Sequence, residues 1–231
     1  MAKVYIGVGH GGSDSGAVRY LVEKDVNLKM ALACCNYLKA AGVDVKISRT
    51  TDKDSSIIEK VNAANIWGAD LALDIHNNAG GGDGAEVYHS IVGGTGKRLA
   101  DNILSEFEKI GQNVRGAKTK QENGTDYFGF IRLTDMPAVI TEAVFVDNAA
   151  DAAQADTDIE CVQFGEAIAK GILKTLGIAD KVVRPSTPSK PAQTIYRVQV
   201  GAYTNRSNAV KLAKKLNSIG YKTLIVKGGG K

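Results

Sequence analysis

Cysteine is scarce in this chain and odd in number, and Cys34, Cys35 and Cys161 argue against a disulfide framework. Cys34 and Cys35 are neighbours in a helical stretch and point about 100° apart, so they do not form a metal-binding pair. All three are expected to be reduced, buried and apolar in behaviour. No apolar run approaches the roughly 18–20 residues needed to span a bilayer, so no membrane span is expected. Nor does the start read as a signal peptide, since a single lysine precedes a Gly-interrupted strand pattern. The expectation is cytoplasmic synthesis, with any action outside the cell following lysis or pore-mediated release.

Proline is sparse too, and where it occurs it marks a boundary. Three of the four prolines (Pro185, Pro188, Pro191) fall within Arg184-Pro-Ser-Thr-Pro-Ser-Lys-Pro-Ala-Gln193, the composition of an extended, solvated spacer. Charge divides at the same place. From Ala179 onward eleven Lys/Arg face one acid, Asp180, while Met1–Ile178 carries a net −6. An acidic body with a basic tail indicates two functional units. The expected organisation is a main domain over 1–179, a Pro/Ser-rich linker over 180–193 and a small unit over 194–231.

The body alternates two patterns. Strand-like runs appear at Val4–Val8, Val43–Ser48, Leu71–His76, Ala85–His89 and Ala138–Val146, with helical runs at about Asp25–Ala41, Ser55–Trp67, Gly96–Ile110 and Ala152–Leu176. This alternation predicts an α/β fold, a largely parallel sheet with helices on both faces. In such sheets ligands collect at the carboxyl ends of strands.

Histidine is as scarce as cysteine, at three in 231, yet two of the three, His10 and His76, end strand-like runs. Glu23 lies between them at the entrance to the first helical run. Two imidazoles and one carboxylate are the ligand set of a catalytic zinc that keeps a position open. A rival reading starts from Gly7-Val-Gly-His-Gly-Gly12, which fits the dinucleotide fingerprint. That fingerprint needs a helix opening at the last glycine and an acid about 20 residues on, and neither is present. A further acid, Glu142, interrupts the apolar run Ala138–Val146. A carboxylate there is costly to bury unless paired, and beside a metal it can serve in proton transfer. His89, on an alternating strand, reads as structural or pocket-lining.

These blocks are similar to the zinc-dependent N-acetylmuramoyl-L-alanine amidases of the Amidase_3 type. The resemblance rests on Val8-Gly-His10-Gly-Gly-Ser-Asp-Ser-Gly16, Glu23-Lys-Asp-Val-Asn-Leu28, Ala69–Ala79 around His76, and Met136–Asn148 around Glu142. It spans about residues 3 to 177. It implies His10, Glu23 and His76 as ligands of Zn2+, Glu142 as the catalytic acid/base, and Asn78 as a pocket residue. The bond it implies joins the lactyl group of N-acetylmuramic acid to the L-alanine of the peptidoglycan stem. Three positions depart from the pattern: Lys60 for a common arginine, Asn77 for a small residue, and Val144 for a frequent glycine. A branched Val144 is expected to narrow the pocket beside Glu142. Two alternatives stand beside this reading, a zinc peptidase of other amide specificity and a non-catalytic cell-wall-binding protein.

In the tail, Ile195–Tyr203 alternates like a strand. Asn205 or Ser207 can cap a helix carrying Ala209, Leu212, Ala213, Leu216 and Ile219, ended by Gly220, and Thr223–Lys227 reads as a second strand. The unit, Val198–Tyr203 above all, resembles one half of a SPOR-type domain, which implies peptidoglycan as its partner. A single β-α-β unit under 40 residues rarely holds a core alone, so two copies are expected to pair as a homodimer. The basic charge could suggest nucleic acid, but no base-reading motif accompanies it, and no nucleic-acid partner is expected.

Overall fold

In a computed structural model of the protein, the described residues are 1–182, 200–218, 220, 221 and 223. The chain divides into two compact units, Met1–Val183 and Arg184–Lys231, and each is described by itself. Among the described residues, no helix is long and apolar enough to cross a membrane.

The first unit is built on eight strands: β1 (Lys3–Val8), β2 (Asp44–Ile47), β3 (Leu71–Asn78), β4 (Ala85–His89), β5 (Val114–Lys118), β6 (Gln121–Glu122), β7 (Thr125–Asp126) and β8 (Ala138–Phe145). Its helices are α1 (Glu23–Ala40), α2 (Ile57–Trp67), α3 (Gly94–Lys109), α4 (Gly129–Leu133), α5 (Ala149–Ala152) and α6 (Asp158–Leu176). Six strands form one sheet in the order β2-β1-β3-β8-β4-β5, and β6 and β7 form a small antiparallel pair. All pairings in the large sheet are parallel except β4 with β8. The α/β class with a largely parallel sheet is as expected.

The strands bury both faces, and their period of two sorts side chains between them. Val4, Ile6, Val8, Leu71, Leu73, Ile75 and Val139 join a core with residues of α1, α3 and α6. Tyr5, Ala72, Ala138 and Ile140 point the other way, onto Val61 and Ala64 of α2 and Phe130 and Ile131 of α4. The three cysteines are free and buried, and Cys34, Cys35 and Cys161 pack in the first core.

Three local features differ from expectation. The helix expected over Ala152–Leu176 starts late, at Asp158, because α5 ends at Ala152 and Thr157 opens α6 with a capping box, its hydroxyl accepting from Glu160 N while Glu160 reaches back. β5 was not anticipated, since Val-Arg-Gly-Ala-Lys is too charged and Gly-broken to read as a strand. α4 is a five-residue helix, too short for its periodicity to show.

In the second unit, α7 (Arg206–Ser218) matches the expected helix. Asn205 Oδ1 accepts from Ser207 N at 2.9 Å at its start, an N-terminal cap as anticipated. Most of the linker over 180–193 and most of the two expected strands lie outside the described residues.

Candidate active site

Three chain segments meet at the carboxyl ends of β1, β3 and β8. β1 delivers His10 through Gly9, and His10 takes a left-handed backbone, φ 58°, an unusual state for a non-glycine residue that favours functional sites. The loop after it is tied down at several points. Gly12 N donates to Asp52 Oδ1 at 2.8 Å, Ser13 N to Asp54 Oδ1 at 2.9 Å, and buried Arg49 donates to Gly9 O at 3.1 Å. Glu23 is the first residue of α1, where the positive end of the helix favours its charge. His76 comes near the end of β3.

The three side chains converge. Glu23 Oε2 lies 3.1 Å from His10 Nε2, Glu23 Oε1 lies 3.0 Å from His76 Nδ1, and the rings meet edge to face at 4.8 Å between centroids. One donor atom from each residue lies within 4.8 Å of the others. Glycine makes this approach feasible. A Cβ on Gly9 would sit 2.5 Å from the His76 ring, and one on Gly16 would sit 2.5 Å from Glu23 Oε2. Among the glycines that mimic a nucleotide fingerprint, Gly9 therefore serves close packing on the His76 ring, while Gly7, Gly11 and Gly12 pack against Asp74, Arg49 and Asp54.

Electrostatics follow from burial and proximity. Burial opposes ionisation of Glu23, yet hydrogen bonding to His10 and His76 outweighs it and holds the carboxyl well below its usual range. Burial likewise works against a charged His76, but the Asp74 charge beside it wins and pushes the ring up to about 10. The Glu23 hydrogen bond raises His10 as well. Such a cluster of anionic and imidazole donors matches the chemistry of a divalent transition metal.

Glu142 stands directly beside His76, its Cα partner across the β3–β8 pair. It is partly open to solvent, while its Oε2 is buried with no hydrogen-bond partner among the described residues. Burial pushes its carboxyl up to about 7, with His76 opposing and the charges of Glu23 and Glu86 adding. A carboxyl near neutrality is matched to proton transfer.

Val144 corrects the expectation that it narrows this pocket. Between His76 and Asn78 the register shifts, so that three steps on β8 match two on β3, the signature of a bulge. Val144 therefore turns away from Glu142, and with Ala143 it enters the core shared with α1, α3 and α6. Its amide donates to Asn77 Oδ1 at 3.1 Å, and Asn77 in turn donates to Asn27 Oδ1 at 2.7 Å. Two of the departures from the family pattern, Asn77 and Val144, are thus one hydrogen-bonded unit.

Lys60, the third departure, is buried and pairs with Asp74 at 2.5 Å. Asp74 Oδ2 also lies 3.4 Å from His76 Nε2, so Asp74 contacts the ring nitrogen turned away from Glu23. Sequence reasoning missed Asp74, although an acid inside Leu71–Ile75 was a signal of the same kind as Glu142. Asn78 donates to Glu86 Oε2 at 3.3 Å. His89 is buried, with Nδ1 2.8 Å from Ser90 O, and stands outside the ligand cluster.

With fold and site in view, comparison with known proteins is decisive. The sequence pattern of N-acetylmuramoyl-L-alanine amidases matches residues 4–174, and that of SPOR domains matches residues 165–230. The chain belongs to the N-acetylmuramoyl-L-alanine amidase family, enzymes that cleave the amide between N-acetylmuramic acid and L-alanine in peptidoglycan. It is 38% identical to the N-acetylmuramoyl-L-alanine amidase CwlM of Bacillus licheniformis, over 98% of this chain and 85% of that protein. It is 35% identical to the sporulation-specific N-acetylmuramoyl-L-alanine amidase of Bacillus subtilis (strain 168), with the same coverage. The solved structure of the catalytic domain of CwlV, an N-acetylmuramoyl-L-alanine amidase from Bacillus (Paenibacillus) polymyxa var. colistinus, superimposes with a TM-score of 0.70 at 30% identity. That match covers 78% of this chain and 100% of the domain.

Proposed function

We propose that this amidase uses a zinc ion held by His10, Glu23 and His76, with Glu142 as its acid/base. The observation that carries the reading is the convergence of two imidazoles and a carboxylate with Glu142 in register beside His76. The donor set fits zinc, which takes histidine nitrogen and carboxylate oxygen and keeps a fourth position open in catalytic sites. Bound there, zinc would supply Lewis-acid chemistry, acidifying water and polarising the amide carbonyl. Glu142, raised toward neutrality, takes the proton from the attacking water and passes it to the departing amine of L-alanine. Glu23 holds both imidazoles in place, and Asp74 holds His76 from behind, as carboxylates behind metal-bound histidines commonly do.

The basic C-terminal unit then retains the enzyme on peptidoglycan, a polyanionic wall suiting its excess of Lys and Arg. Access to the wall through lysis or a membrane pore belongs to the same proposal. So does pairing of two C-terminal units, which rests on the count of one β-α-β unit and which sedimentation velocity tests. A monomer with a folded tail counts against it.

Purified full chain on isolated cell walls is the direct test of the chemistry. Release of new amino groups without reducing sugars, stopped by a chelator and restored by zinc, is expected. Reducing ends, or release indifferent to chelation, would sink the zinc-amidase reading. Glu142→Ala should lose turnover and keep stoichiometric zinc.

A further inference from the structure

The face of the sheet that carries Glu142 continues across two more strands, and what stands there has no part in the mechanism above. Glu86 of β4 is the Cα partner of Glu142 across the antiparallel pair. It is 3% exposed, and its carboxylate gathers four donors. Lys118 Nζ lies at 2.5 Å, Tyr88 OH at 3.1 Å and Asn78 Nδ2 at 3.3 Å, while Arg115 donates through Nε. One anion thus faces two cations, so a positive charge is left over beside the catalytic carboxylate.

Arg115 has capacity to spare. Its Nε is committed to Glu86, and among the described residues its two terminal nitrogens have no recorded partner. The side chain is 42% exposed, and the guanidinium lies over the Phe145 ring at 5.3 Å. The backbone aims it there. The β4–β5 register shifts between Ala85 and Glu86, with Val114 and Gly116 as their partners, so Arg115 is the extra residue of a bulge. Gly116, at φ 93°, takes the positive backbone angle next to the bulge without steric cost.

We propose that Arg115 and Lys118 form a carboxylate-binding subsite for the peptide side of the substrate, reading a free carboxyl on the second amino acid of the stem. This rests on the amidase reading of the site. The guanidinium offers two parallel N–H donors, the fork that matches a carboxylate in bidentate fashion. Glu86 and Phe145 hold the fork before substrate arrives, which lowers the ordering cost of binding. Reach agrees. Two strand spacings of about 4.8 Å separate the Arg115 and Glu142 backbones by about 10 Å. The guanidinium reaches back over Phe145 on the Glu142 strand, so the subsite lies within the span of two to three peptide residues at roughly 3.3–3.6 Å each. A carboxamide would set an NH2 donor against guanidinium donors, so amidation of this carboxyl should be penalised.

The test uses the zinc-loaded full chain and two N-acetylmuramoyl tripeptides that differ only at the second residue, glutamate with its α-carboxyl free or amidated. Wild type should cleave the free acid with at least tenfold higher kcat/KM. Arg115→Gln should shrink that preference at least fivefold, losing more on the free acid than on the amide, and Lys118→Gln should shrink it to a smaller extent. If Arg115→Gln does not fold by circular dichroism, Arg115→Lys carries the same comparison, because it keeps charge and loses the fork. Calorimetric binding of the released peptides to Glu142→Gln should show the same preference without turnover. Equal cleavage of both substrates by wild type, or equal losses on both in the variants, overturns the proposal. A folded, zinc-loaded wild type that cleaves neither substrate overturns the amidase reading and this inference with it.

Discussion

The two faces of the central sheet are made from the same strands and do opposite work. Toward α1, α3 and α6, the strands present Val4, Ile6, Val8, Leu71, Leu73, Ile75 and Val139, all fully or almost fully buried. Toward α2 and α4, the same strands begin apolar, with Tyr5, Ala72 and Ile140, and then turn charged at Asp74, His76, Glu86 and Glu142. The first face contributes stability, at about 25 cal/mol per Å2 of apolar surface removed from water. The second spends some of it, since each buried charge there has a desolvation cost that only pairing or a metal offsets. The difference teaches that function sits where the period-two pattern keeps its burial and loses its apolar character.

The sharpest way to break this contrast is to neutralise the charged face. Glu142→Gln should lower the rate on cell walls by about 10²–10⁴-fold, while making the metal-free protein more stable. The direction follows from linkage. Burial raises the folded-state carboxyl from 4.5 to about 7, so the unfolded chain releases its proton first as pH rises. The advantage of the glutamine variant is therefore absent below about pH 4, grows from pH 4.5 to 7 and is full above 7, at about 1–3 kcal/mol. Urea melts of metal-free protein at pH 5 and pH 8 measure it, and equal stabilities at pH 8 would count against a strained carboxylate.

On the dry face the converse holds. Leu73→Ala, at a site with no exposure, should cost about 2–5 kcal/mol and leave the rate per folded molecule unchanged. Denaturant melts paired with active-fraction assays check both halves. A rate change beyond the loss of folded fraction would mean that the two faces are coupled.

Asp74→Asn tests the boundary between them. It removes the charge that pairs with Lys60 and backs His76. Zinc affinity measured by chelator competition should weaken about 10–100-fold, and stability should fall, because Lys60 would be buried without its counter-charge. Lys60→Met in the same background should recover stability and leave zinc affinity low. The smallest effect belongs to Asn77→Ala, which leaves the Val144 amide without its acceptor. A loss of about 1–3 kcal/mol is expected, read by thermal melting.

Much of the candidate site was legible in the chain. His10 and His76 lie near strand ends, His10 two residues beyond β1 in a Gly-rich turn and His76 two residues before the end of β3, and the short apolar runs that lead to them are local. Glu23 and Glu142 stood out as acids at a helix start and inside an apolar run. The subsite around Glu86 did not stand out. β5 is short and charged, its Arg115 looks like any surface arginine, and only pairing with β4 brings it to Glu86. Val144 was misread for a related reason, since alternation puts residues 142 and 144 on one face until a bulge intervenes.

By itself, then, the sequence determined the alternation of strands and helices, the basic tail, and which imidazoles lie near strand ends and which carboxylates stand at a helix start or inside an apolar run. These are short-range properties, set by period, turn chemistry and the cost of an isolated buried charge. Tertiary structure alone decided that β8 inserts between β3 and β4, which sets Glu142 between His76 and Glu86. It also decided the two bulges, one turning Val144 into the core and the other turning Arg115 toward Glu86. Strand order and register arise from contacts between segments far apart in the chain, and no local pattern of residues encodes which neighbour a strand will find.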